Sequence, residues 1–165
     1  MLAALLADEE IGLGVSSELE RTRETLELAL GERSVPTLAL GTVNEIDFGA
    51  YDGGPLDAYR AWAATHAPGE PAPGGGESRA AAAARYGAGL RLVADRSEPT
   101  ILLVGHALFV RYVLDGARGL APAPRMQPVD HATPYRLDLD DVRAAATLLE
   151  AWSASPRFRD PSGEG

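Results

Sequence analysis

The sequence predicts an α/β domain, a sandwich of helices about a mostly parallel sheet, on three observations. Short β-branched runs alternate with helical periodicities along the chain. Two of these runs pass straight into a helix. A chain of 165 residues, 45% hydrophobic, also falls within the range of one domain with one sizeable core. In such a fold ligands are expected outside the carboxyl ends of the strands.

Taken in order, Leu2, Leu5 and Leu6 recur at helical spacing in a segment that ends near Gly12. Residues 11–16 (IGLGVS) predict a strand. Ser17 and Glu20 stand in the S-x-x-E arrangement of a capping box, so a helix should follow at once, carrying Leu19, Leu26 and Leu30 and ending at Gly31. Residues 35–43 are extended in character, and 44–54 (NEIDFGAYDGG) form an irregular loop. A helix at 56–66 leads into a Pro/Gly-rich stretch over 68–76. The alanine-rich segment 77–96 predicts a long helix. Residues 100–104 (TILLV) are the clearest buried strand, followed directly by Gly105, His106 and a helix over 107–120. After a loop, 135–139 alternates as a strand. The domain is expected to span 1–152, with 153–165 a disordered tail.

Composition excludes several chemistries. A formal net charge of -9 and a pI near 4.8 argue against nucleic acid as a partner, because a phosphate backbone needs a concentrated basic face. All 15 basic residues are arginine, which rules out a Walker lysine and a Schiff-base lysine within this sequence. Without cysteine there is no disulfide scaffold, thiolate nucleophile or Cys-ligated metal here, and a cytoplasmic protein is the simple expectation. No hydrophobic run approaches membrane-spanning length, and MLAALLADEE lacks the basic start and small-residue cleavage site of a signal peptide. No histidine pair has helical zinc spacing, so no metal site is expected.

Four positions carry the candidate chemistry. Arg21 lies on the first turn of a helix that begins right after a strand, with Ser16 and Ser17 at the junction. A helix N-terminus offers unpaired N–H groups and partial positive charge, so an arginine there can complete an anion clamp; pairing with Glu18 or Glu24 is the plainer alternative. His106 stands where a strand turns into a helix beside the expected crevice, although a purely structural histidine would also satisfy the pattern. Glu45 alternates with apolar neighbours at a strand end, as a general acid would. Gly74 to Gly76 lack the lysine and preceding strand of a phosphate cradle and read as a helix entry. VGHAL lacks the serine of a hydrolase nucleophile elbow.

Four blocks in sequence order then resemble one family. VSSELERTRETLELA (15–29) is similar to the S-S-x-L-x-R-x-x-x-T-A motif of the histidine phosphatase superfamily, and VNEIDFGAYDG (43–53) to its L-x-E-x-x-F-G-x-x-x-G loop. GGGES (74–78) resembles its helix entry, and LLVGHALFVRYVL (102–114) its strand ending in S-H-G, with Ala107 in place of the last glycine. The resemblance implies a three-layer sandwich and transfer of a phosphoryl group through a phosphohistidine on an early R-H-G motif. Arg21 and Ser17 would then bind phosphate, Glu45 would protonate the leaving oxygen, and His106 would be the second histidine beside the transferring group. No cofactor is implied, and the partner is a small phosphorylated metabolite or phosphate.

No R-H-G occurs in these 165 residues. The expectation is a chain that starts after the family's first strand, leaving an unpaired edge or a gap in the core and lowering stability. Neither His66 nor His131 has an arginine before it or a glycine after it. Three functions stay open: a phosphomonoesterase whose nucleophile is encoded upstream, a catalytically dead phosphate-binding pseudoenzyme, and a gene fragment.

Overall fold

The structure, a computed structural model, describes residues 2–160. Its helices are α1 Leu2–Leu5, α2 Glu20–Leu30, α3 Leu56–Ala63, α4 Arg79–Ala94, α5 Ala107–Ala117 and α6 Leu139–Ala154. Its strands are β1 Leu13–Ser16, β2 Thr37–Ala39 and β3 Ile101–Val104, and single 3-10 turns occupy Gly41–Val43 and Gly49–Tyr51.

Among the described residues the sheet has three strands in the order β2-β1-β3, both pairings parallel. β1 is buried along its whole length, and its alternation sorts its neighbours. Gly14 faces Leu26 and Leu30 of α2, while Leu13 and Val15 are buried on the opposite face. β1 is hydrogen-bonded directly to β3, Leu13 opposite Ile101 through Ser16 opposite Val104, and β3 has no second partner among the described strands, which is the unpaired edge of the two expected outcomes. β3 is only half-buried at all four positions, although it is the most apolar run in the chain. It lies at the sheet's edge and not inside it, so local sequence marked its strand character and not its place.

The main core forms where α4, α5 and α6 pack on one another, around Tyr86, Leu90, Tyr112 and Leu149. Leu103 of β3 and Leu40 after β2 reach it from the sheet. Ser78 caps α4 by accepting from the Ala81 amide at 3.0 Å.

Two expectations need correction around α6. Residues 135–137 form no strand, and Leu139 opens a helix. Asp138 is its N-cap, the Asp138 side chain accepting from Asp141 N while the Asp141 side chain accepts from Asp138 N, each at 3.3 Å. Val142, Ala145, Ala146, Leu149 and Trp152 give this helix its apolar stripe, at a period visible in the sequence. The described part of the expected tail, residues 153–160, is packed on the domain. α6 continues to Ala154, Trp152 Nε1 donates to Arg157 O at 2.6 Å, and the Phe158 ring lies against Trp152. Residues 161–165 of the expected tail lie outside the described residues.

Candidate active site

Because β2 lies on one side of β1 and β3 on the other, the winding reverses between β1 and β3. That reversal opens the crevice where an α/β sheet admits ligands. Ser16 and Val104 are paired at the carboxyl ends of the two strands, so the next residues, Ser17 and Gly105-His106, emerge side by side. α2 and α5 then start from this rim with no side-chain cap on either N-terminus. Their leading amides are therefore available to an anion.

His106 is 6% exposed, and its ring is held at both nitrogens. Nδ1 lies 3.2 Å from an Arg21 Nη2 and 3.7 Å from Glu45 Oε2; Nε2 lies 2.9 Å from Ser17 Oγ. A guanidinium can only donate, so Nδ1 is the acceptor and the proton sits on Nε2. A chain of donors follows: His106 Nε2–H to Ser17 Oγ, Ser17 hydroxyl to Thr22 Oγ1 at 2.6 Å, and Thr22 hydroxyl to Leu19 O at 2.8 Å. Ser17 Oγ also accepts from Leu19 N at 3.2 Å. Ser17 is thus spent on holding the imidazole, and the capping box predicted from Ser17 and Glu20 does not form. The N-cap is Leu19.

Electrostatics favour the neutral ring. Burial, with the charges of Arg21 and Arg85 beside it, pushes the His106 imidazole down to about 4. The Glu45 carboxyl is raised above its ordinary value by burial, against the opposing pull of the Ile46 amide, Arg21 and Arg85. The acid is shifted up and the imidazole down, each toward its uncharged form, the sense that suits proton donation by the acid.

The structure brings Ser17, Arg21, Glu45 and His106 together, from a strand-to-helix junction, a helix start, a loop and a second junction. Arg21 is exposed, so its guanidinium can reach a ligand over the buried histidine. His66 is elsewhere, stacked on Trp62 with Nδ1 2.7 Å from the Trp62 carbonyl oxygen, and His131 lies in an exposed loop. Sequence reasoning missed Thr22, whose only signal was its place next to Arg21. It also missed Arg85, one arginine in an alanine-rich helix with nothing local to mark it. Among the described residues no three His, Asp or Glu side chains gather as a metal site would require, and no helix is long and apolar enough to cross a membrane.

Residues 1–152 match the family described as the histidine phosphatase superfamily (branch 1). No curated protein matches the chain at a significant level. Among solved structures it is similar to the α-ribazole phosphatase of Shigella flexneri, with 27% identity over 72% of this chain and 62% of that one and a TM-score of 0.61. A mycobacterial glucosyl-3-phosphoglycerate phosphatase in complex with VO3 is 26% identical over 72% of this chain and 64% of that one, with a TM-score of 0.57. Bacillus stearothermophilus YhfR shares the fold, at 23% identity over 84% of this chain and 69% of that one, with a TM-score of 0.61. The chain spans less than two thirds of the length of the Shigella and mycobacterial phosphatases.

Proposed function

The chain belongs to the histidine phosphatase superfamily, and on that premise we propose that it carries the anion-binding and proton-donating part of a phosphomonoesterase site. One observation carries the reading: Arg21, His106 and Glu45 converge within 3.7 Å of one imidazole nitrogen, at the carboxyl ends of adjacent parallel strands and between two uncapped helix N-termini. Arg21 and the helix amides hold the phosphoryl oxygens. Nδ1 of His106 is freed when Arg21 turns to the ligand; the bound anion's charge favours a proton there, and the ring then donates it as a hydrogen bond to the group in transfer. Glu45, whose carboxyl burial shifts toward the protonated form, gives its proton to the departing ester oxygen. The Arg21 guanidinium and, once the anion is bound, a protonated His106 supply the charge that a metal supplies elsewhere.

The covalent step needs a histidine that attacks phosphorus, breaks the P–O ester bond and passes the phosphoryl group to water. No Arg-His-Gly triplet occurs in these 165 residues, so the reading takes that histidine from sequence outside them. The same observation favours a second reading, a site that binds phosphate without turnover.

Inorganic phosphate binding, followed by calorimetry at pH 7, tests the shared part. Arg21→Gln should weaken affinity at least about tenfold, the loss of one charge-assisted hydrogen bond. No binding by the parent chain, or equal binding by the variant, refutes both readings. Hydrolysis of p-nitrophenyl phosphate by the chain extended with its upstream coding sequence separates turnover from binding alone.

A further inference from the structure

The loop that carries Glu45 crosses α4 at a single guanidinium. Arg85 Nη1 donates to Thr42 O at 3.0 Å and Asn44 O at 2.9 Å, with Gly41 O at 3.5 Å, and Nη2 approaches Glu45 O at 3.4 Å. The far side of the same group is gripped by Glu77, at 2.9 Å from Nε and 2.6 Å from Nη2. Glu77 also donates its backbone amide to Asp47 O at 2.9 Å. Glu45 is therefore bracketed: Arg85 holds the carbonyls up to and including its own, and Glu77 holds the carbonyl two residues beyond. The guanidinium lies over the Tyr86 ring at 4.9 Å, a further restraint on its plane.

We propose that Arg85, aligned by Glu77, is a positioning residue that fixes the Glu45 carboxyl beside His106 by pinning the carbonyls of Thr42, Asn44 and Glu45. A lysine could carry the charge but could not reach several carbonyls and a carboxylate in one plane. The inference rests on Glu45 being the proton donor of the proposed site, yet its geometric content can be read without phosphate or turnover.

The test follows the Glu45 side-chain carboxyl by carbon NMR across pH in the parent chain and in Arg85→Lys and Arg85→Gln. The charged and titratable groups about Glu45 are Arg21, Arg85, His106, Tyr59 and Tyr86. If Arg85 acts by position, both variants release the carboxyl to water and its midpoint falls from the raised value to the ordinary carboxylate value. If Arg85 acts only as a charge, Arg85→Gln removes an attraction for the carboxylate and the midpoint rises further. A rise in Arg85→Gln, or no change in either variant, overturns the proposal. Should both variants fail to fold, Glu77→Gln decides: a midpoint displaced toward the ordinary value supports it and an unmoved one refutes it. Loss of phosphate binding in the parent chain would defeat the functional reading and leave this result standing on its own.

Discussion

Acidification should cost this protein stability through one residue, His106, and the size of the effect follows from its surroundings. An unfolded imidazole titrates near 6.5, and burial with two neighbouring guanidiniums lowers the folded one to about 4. The full displacement corresponds to about 3 kcal/mol, at about 1.36 kcal/mol per pH unit. The folded-state value is depressed, so the unfolded chain binds the extra proton first. The contribution is present in full above 6.5, declines as pH falls from 6.5 to 4, and is gone below. By pH 5 about 2 kcal/mol of it should be lost. Urea denaturation of the parent chain and of His106→Gln at pH 7, 6 and 5 measures this, because the glutamine variant lacks the titration and the difference between them should shrink by that amount. Nitrogen NMR of the ring supplies the companion reading, a midpoint near 4 and a proton on Nε2 at pH 7. A midpoint at or above 6.5 would refute the reasoning, for it would mean that the Glu45 carboxylate 3.7 Å away outweighs burial, Arg21 and Arg85 and holds an imidazolium.

Other outcomes are equally specific. Thr22→Val preserves shape but strips the acceptor from the fully buried Ser17 hydroxyl, and should destabilise by about 1–3 kcal/mol in urea while loosening the His106 ring. Gly49→Ala combines a positive φ of 58° with a Cβ that would fall 2.3 Å from Pro73 O, so it should lower the melting temperature well beyond Gly53→Ala, where φ is 73° but nothing lies within 4 Å. Leu149→Ala empties a fully buried position among α4, α5 and α6 and should cost about 2–5 kcal/mol by chemical denaturation.

Much of the site was legible locally, because chemistry and structure coincide at strand-to-helix junctions. A β-branched run that ends in Val104 and is followed by Gly105 and His106 announces both the strand and the position where a side chain meets the crevice. Arg21 was visible in the same way. The failures have physical causes as well. Ser17 and Glu20 have the spacing of a capping box, but the cap needs the hydroxyl oxygen as acceptor, and its two lone pairs are taken by His106 Nε2–H and the Leu19 amide. The alternation at 135–139 suited a strand that has no neighbour to pair with. The helix behind it is announced by Asp138, Asp141 and a 3.6-residue apolar period.

By itself the sequence determined most of the element types, the parallel α/β plan, the absence of lysine and thiol chemistry within these residues, and the candidacy of Ser17, Arg21, Glu45 and His106. Backbone preference, apolar period and side-chain chemistry are properties of neighbours along the chain. Only the tertiary structure decided that β3 pairs with β1 at the sheet's edge, that His106 is neutral with its proton on Nε2, and that Arg85 and Glu77 bracket the Glu45 loop from 40 and 32 residues away in sequence. Desolvation, hydrogen-bond competition and the reach of a guanidinium depend on what folding brings within a few ångströms, and no spacing rule along the chain contains that information.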